Sequence, residues 1–274
     1  MEKQASALKF GNFQTYTSPR LQKRPVLAKL IHNVFGYTNV GSFTRARIFR
    51  DLLNEVPSQK FEKVLDIGCG WGEYSFMLAK GLPQAKVTAL EVDPPKIQLL
   101  RRILQKEAIP NIEPFTGYLS DLDDDGYDFM FSVDVFEHIE ESQMPFKDAY
   151  DRLKPGGYLM VKMPTKIQRT IMPDGWFEEH QDWLEDEHIG QIYMLEDLVA
   201  RFEKEGFQVT HAAYHDQWLA RLGWEIGYLS HKAGPILQLP ALPLAKALVR
   251  MDKALGNQKW GNTIQVIGQK PLKK

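Results

Sequence analysis

The clearest pattern begins at Lys63, where short apolar runs alternate with amphipathic stretches. Val64-Leu65-Asp66-Ile67 has the length and texture of a buried strand, and Trp71 to Lys80 reads as a helix. Val87 to Val92 repeats the strand signature. From Pro95 to Lys106, Ile97, Leu100, Ile103 and Leu104 share one helical face, with Pro94 and Pro95 suited to its first turn. Ile112 to Thr116, Phe129 to Val133 and Tyr158 to Met163 are further strands. A helix is expected after the fourth strand, to about Leu153, and Lys154-Pro155-Gly156-Gly157 reads as a turn. Upstream, Ser42 to Val56 has helical spacing, with Phe43, Ala46, Phe49, Leu52 and Leu53 near one face and Ser42 as N-cap. Beyond Pro164 the pattern loosens, then recovers as a helix from Leu195 to Glu205 and strands at Phe207–Ala213 and Thr263–Gly268.

Strands alternating with helices predict βαβ units, hence a doubly wound α/β fold with a parallel sheet and helices on both faces. Ligands of such sheets bind at the carboxyl ends of the strands, where the strand order reverses. The expected organisation is an N-terminal helical extension or lid over 1–58, then a domain over 59–274 with aromatic insertions at about 165–192 and 215–256. Within the second insertion, Gln217 to Leu255 is too apolar for plain linker. Pro235, Pro240 and Pro243 predict two shorter helical pieces around a bend.

Composition narrows the partners. A formal net charge of -1 supplies no concentrated positive field, which argues against nucleic acid. A single cysteine, Cys69, builds neither a disulfide framework nor a cysteine zinc site, so a reducing cytoplasm is the simplest compartment. The N-terminus lacks the apolar core of a secretory signal. No apolar run approaches the ~20 residues of a membrane-spanning helix.

Candidate chemistry concentrates in Asp66-Ile67-Gly68-Cys69-Gly70-Trp71-Gly72-Glu73, a strand running through three alternate glycines into a helix. Glycines let a ligand lie against the main chain, and the helix start is expected to offer unpaired N–H donors. A dinucleotide fingerprint is G-x-G-x-x-G. Here Glu73 takes the third place and the pattern is G-x-G-x-G. An acid at the helix start repels a pyrophosphate and tolerates a cation. Glu91, at the end of the second strand, is placed to accept both hydroxyls of a ribose.

VLDIGCGWGE, VTALEVD, YDFMFSVDVFEHI and DRLKPGGYLMVKMP, in that order, resemble the class I S-adenosylmethionine-dependent methyltransferases, nearest the group acting on small molecules and lipids. The resemblance covers residues 60–165 strongly and continues weakly to the C-terminus. It implies a Rossmann-like, mostly parallel seven-stranded sheet with an antiparallel last strand. It also implies S-adenosylmethionine as cofactor. Asp66, Gly68 and Gly70 would border its methionine part, Glu91 would hold the ribose, Val92 would lie against the adenine, and Ser132, Val133 and Asp134 would face the sulfonium and the acceptor, with Cys69, Gly72 and Leu119 as further cofactor-binding candidates. The family's third strand usually ends in Gly-Asp-Ala. This chain has Gly117-Tyr118-Leu119, with Asp121 or Asp123 as substitutes.

Methyl transfer from a sulfonium needs alignment and water exclusion, and a base only where the nucleophile holds its proton. Asp134, Glu137 and His138 follow the fourth strand at the acceptor rim, and His138 is the candidate base. The same three resemble a divalent-metal set, completed by His180 or His188. The plain alternative is a structural Glu-His pair. Arg45 and Arg47 are candidates to pair with the cofactor carboxylate. The acceptor is expected to be small or lipid-like. The basic, apolar stretch Leu219–Lys253 is either a cap or a surface in peripheral contact with a membrane. A nicotinamide-linked oxidoreductase and a non-catalytic cofactor-binding module are the competing classes.

Overall fold

The computed structural model describes residues 23–187, 192–255 and 259–272. Helices α1 (Pro25–Phe35) and α2 (Val40–Leu53) precede β1 (Lys63–Ile67), α3 (Glu73–Gly81), β2 (Lys86–Glu91), α4 (Pro94–Glu107), β3 (Ile112–Thr116) and β4 (Tyr127–Val133). Then follow α5 (Phe146–Arg152), β5 (Leu153–Pro164), α6 (Glu178–Glu187), α7 (Leu195–Lys204), β6 (Gln208–His215), α8 (Trp218–Ala233), α9 (Pro235–Met251) and β7 (Thr263–Gln269). The seven strands form one sheet in the order β3-β2-β1-β4-β5-β7-β6. β1 to β5 pair in parallel, and β7 runs antiparallel to both β5 and β6. The order reverses between β1 and β4, which opens the crevice that a doubly wound sheet offers a ligand.

Period-two alternation sets the two layers. Val64 packs with α2, α3 and α4 on one face, while Leu65 and Ile67 pack with α5 and α7 on the other. β4 is buried along its whole length, as a central parallel strand should be. A third cluster joins Val40 and Phe43 of α2 to Ala220, Leu242, Ala245 and Val249 of α8 and α9.

Four local expectations change. The N-cap of α2 is Asn39, whose side chain accepts from the Ser42 N–H at 2.8 Å, so that helix starts earlier than the apolar spacing suggested. α1 is an additional helix. The long helix expected after β4 is two short 3-10 turns and the brief α5, and Lys154-Pro155-Gly156-Gly157 joins β5 through an irregular register with β4. Finally, the two helical pieces expected around a bend are present as α8 and α9, but the bend falls at Gly234, with φ 105°, and Pro240 and Pro243 lie inside α9. Both prolines are exposed, where water can hydrate the carbonyls their missing N–H groups leave free.

Candidate cofactor and acceptor site

The loop from β1 to α3 is built from backbone hydrogen bonds that leave few donors over. The Gly68 and Cys69 N–H groups both donate to the Leu90 carbonyl, at 2.9 and 2.8 Å, and the Gly72 N–H donates to the Cys69 carbonyl at 2.8 Å. The Gly70 N–H donates to Glu91 Oε2 at 2.8 Å. Leu90 and Glu91 thus occupy the Gly68, Cys69 and Gly70 donors of the loop, ahead of the start of α3, where unpaired N–H groups are expected.

The three glycines have different reasons. All have positive φ. A Cβ on Gly68 would meet Val135 Cγ1 at 2.5 Å, and one on Gly72 would meet Leu100 Cδ1 at 2.6 Å, so packing demands both. A Cβ on Gly70 would meet nothing within 4 Å. Gly70 thus borders open space, the one place where the loop can receive a ligand against its main chain.

Glu91 is buried and anchored. Besides Gly70 it accepts from the Val92 and Asp93 N–H groups through Oε1, at 3.0 and 3.1 Å, and Lys96 Nζ stands 3.9 Å away. Three backbone donors fix the carboxylate while its remaining lone pairs can accept hydroxyls. Val92 and Tyr118 are exposed beside it, whereas Leu119 is buried in the core. Asp121 Oδ2 accepts from the Tyr118 N–H at 2.8 Å, which places a carboxylate beside Gly117 although the usual residue is absent. Asp123 is exposed. This donor-poor, acid-flanked crevice suits a nucleoside joined to a cation.

Asp66 and Ser132 support the loop from beneath. Asp66 is fully buried and accepts from Ser75 Oγ at 2.6 Å, tying β1 to α3. Burial pushes its carboxyl up to about 7. Ser132 Oγ donates to the Ile67 carbonyl at 3.1 Å, and Val133 is buried next to it. Cys69 is buried, and burial raises its thiol well above the ordinary range.

Beyond β4 the chain enters left-handed geometry at Asp134, with φ 54°. Asp134 Oδ1 accepts from the buried Lys162 Nζ at 2.6 Å, and Arg45 stands 3.7 Å from Oδ2. Glu137 is buried with Oε2 unpaired, and burial followed by the Asp134 charge raises its carboxyl well above the ordinary range. His138 follows at the partly exposed rim. Asp134 and Glu137 are thus brought together, their charges acting on each other, and His138 is the next residue along the chain. The metal set is not brought together: His180 stacks on Trp224 and Tyr228, at 4.8 and 5.7 Å between ring centroids. His188 lies outside the described residues. Among those described, no three His, Cys, Asp or Glu side chains are grouped to hold a metal ion.

Arg45 faces Asp134, and its charge also acts on Glu73 and Tyr74 at the start of α3. Arg47 instead donates to the Arg250 carbonyl at 3.2 Å, away from the loop. Lys162 escaped the sequence reading, although a lone lysine inside the apolar strand Tyr158–Met163 was a legible signal. Asp216, also missed, directly follows β6 and is half-buried with Oδ1 shielded and unpaired, and desolvation raises its carboxyl to about 6. Next to it, α2, β6 and α9 enclose a cavity of about 300 Å³, lined in part by Thr44, Arg47, His215, Asp216 and Asp252.

Part of the aromatic insertion packs on itself, while Trp176 and Trp218 are exposed. Phe177, Trp224 and Tyr228 form a cluster, with the Arg221 guanidinium 4.4 Å from the Trp224 ring. Buried Glu225 accepts from Arg221 Nε and from the Ile171 and Met172 N–H groups, all at 2.9 Å, which pins the segment after β5 onto α8.

Strand order and the glycine-rich turn from β1 into α3 together define a class I methyltransferase fold. A family model described as "Methyltransferase domain" matches residues 40–212, and the chain belongs to that family of S-adenosylmethionine-dependent methyltransferases. It is 29% identical over 126 residues to a trans-aconitate 2-methyltransferase of Afipia carboxidovorans, a match covering 46% of this chain and 47% of the relative. The chain thus spans about half the length of such curated relatives. A Haemonchus contortus phosphoethanolamine N-methyltransferase 2, solved with phosphomonomethylethanolamine and S-adenosylhomocysteine, superposes with a TM-score of 0.60 at 18% identity, covering 96% of this chain and 61% of that one. The [4+2]-cyclase SpnF superposes at 0.56 with 16% identity, covering 83% and 81%. At these identities the structural likenesses speak for the fold alone.

Proposed function

We propose that this chain transfers a methyl group from S-adenosylmethionine to a small-molecule acceptor bearing an oxygen, nitrogen or carbon nucleophile. The observation that carries the proposal is the Glu91 carboxylate, buried, held by three backbone N–H groups and closing the glycine loop over the Gly70 opening. When bound, the cofactor supplies an activated methyl on a sulfonium. The chain's own residues orient and exclude water. Glu91 accepts the ribose hydroxyls, Val92 and Tyr118 offer an apolar edge to the adenine, and the main chain at Gly70 lies against the methionine portion. Asp134 and Lys162 hold the segment after β4 in place. His138, at the rim, takes the acceptor's proton where the nucleophile carries one. The partly exposed Arg45 guanidinium offers a forked donor set to a carboxylate or phosphate on the acceptor. That choice agrees with relatives named for trans-aconitate and phosphoethanolamine.

Calorimetry with S-adenosylhomocysteine tests the cofactor assignment. Binding is expected, weakened by about 1–3 kcal/mol in Glu91→Ala as the charged hydrogen-bonding group is lost. NADH binding with no response to S-adenosylhomocysteine would sink the reading. Methyl-labelled cofactor offered to panels of carboxylates, phosphoamines and phenols then identifies the acceptor. His138→Ala is expected to lower turnover with cofactor affinity unchanged.

A further inference from the structure

Helix α1 turns much of its apolar surface to solvent. Its small Ala28 is buried against the body, while Val26, Leu27, Leu30 and Val34 point to solvent, with Val26 83% and Val34 66% exposed. Their spacing makes one stripe along the helix. The neighbouring α9 does the same: Leu242, Ala245 and Val249 face inward, while Ile236, Leu237 and Leu244 face out, Ile236 at 88% exposure. The helices adjoin, for the Lys246 ammonium donates to the Phe35 carbonyl and Gln238 Nε2 donates to the Thr38 carbonyl at 2.9 Å. An apolar face of this extent has a partner.

Charge says which partner. No Asp or Glu occurs between Lys3 and Arg50, nor between Ile226 and Met251. The cations Lys23, Arg24, Lys232 and Arg250 are exposed on these two segments, with Lys232 paired to Glu179 on α6 at 2.8 Å. A near-neutral chain has thus concentrated positive charge around its exposed apolar stripes. A second copy is disfavoured, because a two-fold contact would set this cationic face against itself. The combination of outward Leu, Ile and Val with flanking Lys and Arg matches an anionic lipid surface. No described helix is long and apolar enough to cross a membrane, so contact would be peripheral.

We propose that α1 and the α8–α9 hairpin form a docking surface for an anionic lipid bilayer, with the Gly234 turn inserting Ile236 and Leu237 beneath the headgroups. The proposal is independent of the methyl-transfer reading, because its test does not measure activity. The full chain is floated with vesicles of phosphatidylcholine alone, and with vesicles of phosphatidylcholine plus phosphatidylglycerol. Binding is expected to the anionic vesicles and not to the neutral ones, falling as salt screens the headgroup charge. The exposed-site variant Leu30→Glu/Ile236→Glu is expected to bind about tenfold or more weakly, since two apolar anchors are lost, with an unchanged urea midpoint. Lys23→Gln/Arg24→Gln is expected to flatten the salt dependence. The proposal is overturned if the wild-type chain ignores anionic vesicles at low salt, or binds neutral ones equally. It is also overturned if folded Leu30→Glu/Ile236→Glu floats like wild type, or if sedimentation shows a dimer that this variant dissolves.

Discussion

Replacing Lys162 with Met tests whether the ion pair with Asp134 holds the acceptor rim. The Lys162 side chain is 4% exposed and that of Asp134 20%, with 2.6 Å between Nζ and Oδ1. At an effective dielectric near 20, such a contact is worth roughly 6 kcal/mol in Coulomb energy. Desolvation of the two ions offsets most of that, so the pair as a whole contributes little. Removing one partner is different, because the other keeps its desolvation cost. A fully buried orphan costs about 3–5 kcal/mol. Asp134 retains some water and the Arg45 guanidinium 3.7 Å away, so Lys162→Met is expected to cost about 2–3 kcal/mol. The reciprocal change, Asp134→Asn, suits the left-handed backbone because asparagine tolerates positive φ. It leaves Lys162 facing Glu137, which the Asp134 charge had helped to keep neutral. Glu137 can then ionise and take over, so this single change should cost less than Lys162→Met. The double variant should be more stable than the sum of the singles predicts, by about 1–3 kcal/mol. Urea denaturation followed by tryptophan fluorescence, with unchanged m-values, measures all four corners. If the singles add to within about 0.5 kcal/mol, or Lys162→Met is neutral, the pair is not what orders the rim.

Two further predictions follow from the loop and the sheet. Gly68→Ala should cost about 2–4 kcal/mol of stability, from the left-handed backbone and the 2.5 Å clash with Val135. Gly70→Ala should cost only about 1–2 kcal/mol in folding while abolishing S-adenosylhomocysteine binding. Equal melting points for the two variants would contradict the division of labour among the glycines. Asp66 and Asp216 have carboxyls raised by burial from 3.8 to about 7 and about 6. The native state therefore holds protons that the unfolded chain has lost, and stability falls as pH rises from about 4 to about 7. Asp66→Asn should flatten that fall in thermal midpoints, and parallel wild-type and variant curves would show that Asp66 titrates normally.

The sheet was legible because β1, β2 and β4 are buried on both faces and read as continuous apolar runs, which no surface element imitates. Errors gathered where tertiary context outweighs local preference. The turn-like Lys154-Pro155-Gly156-Gly157 extends β5 because Leu153 pairs with Tyr127 across the irregular register. Pro240 and Pro243 were read as helix breakers, yet α9 continues because both face water and Leu242, Ala245 and Val249 bury its other side. α1 escaped notice for a related reason: its apolar face turns outward, so it belongs to no core stripe that would have announced it.

The site divides along the same line. Its glycines and Glu91 could be read from spacing alone, because a ribose acid and a strand-to-helix turn have fixed places on a doubly wound sheet. What spacing could not supply is where the loop's hydrogen bonds go. G-x-G turns serve dinucleotides and sulfonium nucleosides alike, and pattern arguments separate them only through Glu73. The backbone separates them on stronger ground. Leu90 takes the N–H groups of Gly68 and Cys69 while Glu91 takes that of Gly70, so at those three positions none is left over for a phosphate, and only the first turn of the helix can still offer one. A phosphate seated at Gly70 would have to displace the hydrogen bond that orders the Glu91 carboxylate, so the bond that holds Glu91 ready for the proposed ribose also works against an anion at that point of the loop.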